Sequence, residues 1–551
     1  MPTKTITVVL IFIVSFLEAD CTKYFIKFTD KNNSPYSITN PAAYLSSKAI
    51  QRRQLQNIPI SASDIPVNPF YIDSLRSIGA TILNPSKWFN GVTIECDSNL
   101  YQSIRALGFV ENGRQIRKLA APKEKKLTKI LEAPSIVVSP GMLRSQSFDY
   151  GSAFNQIHLM NGEYLHDEGF TGSGMTIAVL DAGFFRVDSL EIFDSLRSQN
   201  RILGTWDFVE GNHSVYEDNS HGMQVLSCIT GNIPGQMVGT APGASFWLLR
   251  TEDVSTEYLI EEYNWVSAAE FADSVGTDLI TSSLGYSTFD DSTMDHSYSD
   301  MDGNTTPCSI GADIAASKGI LVILSAGNNG NSSWHYISAP SDADSAMCIA
   351  AVDEFGIKAG FSSWGPSSDG DIKPNVAAKG QLATVANTGG GVGLANGTSF
   401  ACPILAGSAA CLWQAHPDKT NMEVFKAIEQ SANYYLTPGD SLGYGIPNFI
   451  VADLLLGGTD LNLLTSDNLL GIYPNPYHDE ISLKFFSAVS HSLDIEIYDA
   501  LGRLVMNSFN EINRGAINNI TLSGLSDARQ GMYFVLVRTK EKSFLRKAIK
   551  Y

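Results

Sequence analysis

The stretch GTSFACPILAGSAACLW, residues 397–413, decides how this chain is read. Gly397 and Thr398 precede Ser399, Pro403 follows four residues later, and an apolar run extends from Ile404 to Trp413. Proline is tolerated in the first turn of a helix, where amide groups lack intrahelical partners. The pattern therefore predicts that Ser399 stands at the start of a helix. Its own amide is unclaimed there, and the helix dipole favours negative charge nearby. Gly397 removes a side chain that would crowd an incoming group. A serine so placed either caps the helix or is set to attack a carbonyl. Three other segments bear on that choice.

In MTIAVLDAGF, residues 175–184, an apolar strand ends in Asp181. NSHGMQVLSCITG, residues 219–231, puts His221 at the entry to a helix, with Asn219 or Ser220 available as caps and Gly222 leaving room beside the ring. LVILSAGNNG, residues 321–330, is a buried strand followed by small residues and Asn328, whose amide can donate to a developing oxyanion. Each segment alone has a plain structural reading: a turn aspartate, a helix-start histidine, a turn asparagine, a capping serine. A serine hydroxyl is a poor nucleophile until a base takes its proton, and the base needs a fixed tautomer. Asp181, His221, Asn328 and Ser399 supply these parts, in that order, separated by 40, 107 and 71 residues. This order is that of subtilisin, not of chymotrypsin or the α/β-hydrolases. The chain also lacks the G-x-S-x-G elbow of lipases and esterases.

The surrounding pattern predicts a fold to carry these residues. From about 150 to 455, short β-rich runs alternate with helical ones. Strands are expected at Thr176–Leu180, Phe246–Leu249, Leu279–Thr281, Ile320–Leu324 and Cys348–Val352, and helices at Gly222–Thr230, Glu257–Ser274 and Ile310–Lys318. Alternation of this kind implies an α/β domain, a mainly parallel sheet flanked by helices, with its site at the carboxyl ends of the strands. Residues 22 to about 115 mix strand-like and helix-like runs and suit a small α+β domain. The end of the chain alternates with period two, as in Leu493, Ile495 and Ile497, and predicts a β-sandwich of about 80 residues.

The chain resembles the subtilases, the subtilisin-like serine proteases, over roughly residues 150–450. VLDAGF, HGMQV, SAGNNG and GTSFACP resemble the family's aspartate, histidine, oxyanion and nucleophile motifs. GTAPGA at 239–244 and SSLGY at 282–286 resemble its turn after the histidine helix and its substrate-lining strand. The resemblance implies a secreted serine endopeptidase with Asp181, His221 and Ser399 as the catalytic triad and Asn328 at the oxyanion. Ser283, Leu284 and Gly285 would hold the substrate as an added strand. Ala182 and Gln224 depart from the usual Ser or Thr and second His, but neither change removes a proton-transfer group. The first domain resembles the inhibitory propeptide of subtilases. YPNP, IEIYDALGRLV, GMYFVLV and FLRKAIKY resemble the sorting domain of type IX secretion, which implies a Gram-negative source. The expected organisation is a signal peptide at 1–19, a propeptide at 20–116 and a maturation linker at 117–149. The peptidase domain then spans 150–453, a second linker 454–470 and the sorting domain 471–551. Expected partners are protein or peptide substrates, the chain's own propeptide as intramolecular inhibitor, and the type IX machinery. No cofactor is required for this chemistry. A structural calcium stays open: DMDGN at 300–304 is calcium-like in composition, while the loop Asn232–Val238 carries no carboxylate.

Charge is unevenly spread. Residues 22–130 hold 16 Lys+Arg and 7 Asp+Glu, whereas residues 131–460 hold 11 and 39. The two segments are expected to dock, and nucleic-acid binding by the acidic part is disfavoured. Seven cysteines with no C-x-x-C pair leave a disulfide such as Cys308–Cys348 open. The specificity pocket is expected near Ser338–Pro340, with Asp342 and Asp344 beside it. The competing reading is a catalytically silent surface-binding or adhesion protein on the same scaffold.

Overall fold

The computed structural model describes residues 22–118, 148–217, 219–458, 466–487, 491–512 and 516–550. The expected signal segment and most of the 117–149 linker lie outside these residues.

Four strands, β1 (Thr22–Phe28), β2 (Thr81–Ser86), β3 (Gly91–Cys96) and β4 (Val110–Arg117), form an antiparallel sheet of order β2-β3-β1-β4. Strand alternation sorts β1 between two cores. Tyr24, Ile26 and Phe28 fill the local core beside the helices Pro69–Ser77 and Ser98–Arg105. Phe25 points the other way, into the core of the central domain, with Trp88 and Ile116.

The central sheet has seven parallel strands, of order β13-β12-β11-β10-β5-β9-β6. These are β5 (Thr176–Asp181), β6 (Ile202–Asp207), β9 (Ser245–Arg250), β10 (Leu279–Ser282), β11 (Leu321–Ser325), β12 (Met347–Val352) and β13 (Val376–Lys379); the short hairpin β7 (Asn232–Ile233) and β8 (Met237–Val238) lies outside it. The anticipated strands all form, shifted by a residue or two. Two further strands join the sheet edges: β6 has a mixed pattern, ILGTWD, and β13 is only VAAK. Helices cover both faces. His221–Thr230 and Thr398–Ala415 pack on one face, and Ile260–Val275 and Pro307–Ser317 on the other. Thr398–Ala415 is buried on every side as far as Trp413, which is why its sequence shows no polar stripe. The helix expected from Glu257 starts at Ile260 and ends at Gly276, whose φ of 85° lets the chain leave in the left-handed region.

From β5 the chain moves to β6 and β9 on one side, then crosses back to β10, β11, β12 and β13 on the other. The direction reverses at β5, so a crevice opens beyond the carboxyl ends of β5 and β10. The last unit packs a three-stranded antiparallel sheet against a four-stranded one around Leu483, Phe485, Leu493, Ile495 and Ile497. Helix Phe449–Leu456 and strand Asn468–Tyr473 stand at the two ends of the segment read as the second linker. Among the described residues no helix is long and apolar enough to cross a membrane.

Cys228, Cys308, Cys348, Cys402 and Cys411 are buried and free, so Cys308 and Cys348 are thiols. Burial pushes the Cys348 and Cys402 thiols up to about 12. Cys402 fills space where its helix meets the sheet, 3.3 Å from both Thr281 Oγ1 and Ile323 O.

Candidate active site

Asp181 closes β5 and is fully buried. Its Oδ1 accepts from the Ala182 amide at 2.7 Å and from His221 Nδ1 at 2.8 Å. The carboxylate thus holds a proton on Nδ1 and leaves Nε2 as the basic nitrogen. Burial pulls the His221 pKa down, but the Asp181 charge and hydrogen bond, with the field of Glu252, outweigh it and leave the pKa raised above 6.5. The His221 amide donates to Asn219 Oδ1 at 2.7 Å, so Asn219 is the helix-starting acceptor. Gly222 has a tighter role than leaving room for the ring. A Cβ there would press into the Gly183 carbonyl and lie 2.9 Å from Asp181 Cβ.

Ser399 is the second residue of the Thr398–Ala415 helix and is 7% exposed. Its carbonyl accepts from Ser283 Oγ at 2.9 Å. The neighbouring Phe400 ring lies 6.2 Å from the His221 imidazole, centroid to centroid. Among the described residues no hydrogen bond joins the imidazole to the Ser399 hydroxyl; in substrate-free sites such contacts are often long and close in the Michaelis complex. Asn328 is exposed on the turn after β11. Its Oδ1 accepts from the Thr398 amide at 2.9 Å and from Thr398 Oγ1 at 3.1 Å. The amide oxygen is thereby spent, which presents the NH2 group as the donor. Thr398 carries this orientation, and the sequence reading gave it no role although it stands next to the serine.

Ser283, Leu284 and Gly285 continue from β10. Beyond them the Tyr286 amide donates to the Ala339 carbonyl at 2.7 Å, which ties this segment to 338–340. A Cβ on Gly285 would lie 2.7 Å from Ser338 Oγ, and one on Gly327 3.1 Å from it. The expected pocket region is therefore closely packed around Ser338, and Gly327, at a φ of 98°, holds a backbone conformation that favours glycine. Asp342 is not a rim charge. It is fully buried, accepting from Gly303 N at 2.8 Å and Ser309 Oγ at 2.6 Å, and burial pushes its pKa up to about 6. In DMDGN, Asp300 accepts from Ser297 and Asp302 from Asn304 and Thr305, so their own loops occupy both carboxylates.

The N-terminal unit sits over the Ile260–Val275 helix. Asp273, fully buried, pairs with Arg52 at 2.6 Å, Arg53 at 2.8 Å and Lys87 at 2.8 Å. Glu270 accepts from Ser86 Oγ and from the Lys87 and Trp88 amides. At the end of β4, Ile116 is buried in the same core as Tyr258, Tyr286 and Phe289, and Arg117 pairs with Asp253 at 3.2 Å. The basic first segment and the acidic second one thus meet through named pairs.

The Subtilase family profile matches residues 172–454. Subtilisin E of Bacillus subtilis is 32% identical over 305 residues, 55% of this chain and 69% of that protein. The chain belongs to the subtilase family. Subtilisin of Bacillus pumilus is 31% identical over 55% of the subtilase and 96% of its own length. A thermostable alkaline protease of Halalkalibacterium halodurans is 28% identical over 58% and 78%. This subtilase is a serine endopeptidase. It also carries a Peptidase S8 propeptide domain of the Bacteroidota type, matched at 23–130, and a Secretion system C-terminal sorting domain, matched at 471–551. The sorting domain assigns the subtilase to type IX secretion, so it is secreted or held at the cell surface.

Proposed function

We propose that this subtilase hydrolyses peptide bonds through an acyl-enzyme on Ser399. The observation that carries the reading is the 2.8 Å bond from His221 to a buried Asp181, on a helix facing the one that starts at Ser399. Substrate lies as an added strand along Ser283, Leu284 and Gly285, a mode that recognises backbone more than side chains. His221 Nε2 takes the Ser399 proton as Oγ attacks the scissile carbonyl. Asn328 Nδ2 and the Ser399 amide donate to the oxyanion. The imidazolium then protonates the departing amine, and water, deprotonated by the same nitrogen, releases the acid product.

The propeptide acts as an intramolecular inhibitor, supported by the ion cluster at Asp273 and by Ile116 beside the substrate wall. The type IX machinery is the partner of the tail, and proteins or peptides are the substrates. Chemistry runs on side chains and backbone amides, with no cofactor required. The test is covalent labelling of the matured enzyme by a phosphonate serine probe. Labelling is expected in the parent and lost in Ser399→Ala, with turnover down about 10⁶. Equal labelling of both proteins would refute the assignment.

A further inference from the structure

We propose that Glu252, Glu257 and Glu261 form a divalent-cation site, of the hard, all-oxygen type that suits calcium, between the substrate wall and the Ile260–Val275 helix. One carboxylate oxygen from each residue lies within 4.8 Å of the other two. Glu252 is 7% exposed and Glu261 1%, and Glu257 is half-buried at the rim. Among the described residues no Lys, Arg or His forms an ion pair with any of the three. The nearby guanidiniums serve other acids, Arg250 pairing with Asp207 and Arg117 with Asp253.

The oxygens left over point to a ligand. Glu261 Oε1 accepts from the Asp253 amide at 3.2 Å, but Glu261 Oε2 is sealed from solvent and has no hydrogen-bond donor. Glu252 Oε1 is held by Tyr286 Oη at 2.5 Å and Thr251 Oγ1 at 3.0 Å. Three carboxylates gathered in a dry site repel one another, and an isolated buried carboxylate is costly. Burial pushes Glu252 up to about 7, with the charge of Asp181 adding to it, and burial with the charge of Glu252 pushes Glu257 up to about 8. A cation removes the repulsion and supplies the missing partner for Oε2. Oxygen-only donors select calcium or magnesium over the softer metals.

The position gives such an ion a use. Tyr286 follows the substrate segment Ser283–Gly285, and the Thr251 amide donates to the Asp181 carbonyl at 3.0 Å. A cation bound by Glu252 would brace both the wall and the strand end that carries Asp181. The site is separate from the DMDGN segment and from the loop Asn232–Val238.

The experiment uses the full-length Ser399→Ala chain, stripped with EGTA and then titrated with calcium and with terbium, whose luminescence Tyr286 would sensitise. The parent is expected to gain thermal stability with calcium. Glu257→Gln and Glu261→Gln should each bind one ion fewer per chain and lose that gain. In EGTA, Glu261→Gln should melt above the parent, because a buried charge has been removed. Should Glu261→Gln not fold, the rim variant Glu257→Gln carries the test alone. Unchanged ion stoichiometry in the variants, or a parent melting temperature indifferent to calcium between pH 6 and 8, would overturn the site. These readouts need no turnover, so they stand apart from the assignment of Ser399.

Discussion

Asn328 has one edge of its amide committed before any substrate arrives. Thr398 takes the oxygen twice, through its amide and its hydroxyl, and the same hydroxyl accepts from the Gly327 amide at 3.2 Å. The donor edge is therefore aimed in advance, which is the condition for an oxyanion contact to act without reorganisation. Asn328→Ala is expected to lower kcat by about 10² to 10³ with KM little changed. Thr398→Val removes a hydrogen bond worth about 1 kcal/mol of orientation, so a loss in kcat of roughly fivefold to tenfold is expected; steady-state kinetics on a peptide amide checks both. On the proposed assignment, His221 sets the pH dependence. Its pKa is raised, so the protonated ring, which cannot accept the serine proton, persists above pH 6.5. Activity should climb with pH, with the half-rise in kcat/KM above 6.5. Asp181→Asn should move the half-rise to lower pH and cut kcat by about 10⁴. A flat profile from pH 5 to 8 would count against His221 as the base.

At the scale of elements, the site depends on how closely two pieces of backbone approach. The His221–Thr230 helix comes against β5 so tightly that Gly222 faces Asp181 with no space for a methyl group. Gly222→Ala is expected to destabilise the fold by about 1–3 kcal/mol through overpacking, and also to move the carboxylate from the imidazole. A lower melting temperature together with a fall in kcat is the predicted signature; an unchanged enzyme would show that the approach is looser. Across the crevice, the Thr398–Ala415 helix is locked to the sheet by Cys402 against β10 and β11 and by Ser283 on the Ser399 carbonyl. The serine is thus held through the backbone of its helix.

At the scale of the whole molecule, Asp273 joins the first two units. Burial alone would raise its pKa, but Lys87, Arg52 and Arg53 outweigh burial and hold it well below the usual carboxylate range. The contribution of a depressed carboxylate is complete above the ordinary value near 4 and is lost as the pH falls through the depressed one, so acid loosens this contact. Asp273→Asn leaves three buried cations without their anion and should cost about 3–5 kcal/mol of docking. Faster hydrogen exchange in β1–β4 of the full-length Ser399→Ala chain is the expected result. Much of this was legible beforehand. The charge split between residues 22–130 and 131–460 announced the docking, and the runs of five or six apolar residues announced most of the parallel strands. The edge strands β6 and β13 were not legible, because four to six residues of mixed or small side chains carry no period. By itself the sequence determined which groups are present for chemistry, in what order, and on which kinds of element, because capping, strand length and helix breaking act over a few residues. Only the tertiary structure decided that Thr398 aims Asn328, that three basic residues converge on Asp273, and that three glutamates meet beside Tyr286. Those outcomes depend on how separate surfaces approach when a sheet is covered on both faces, and no local spacing records that.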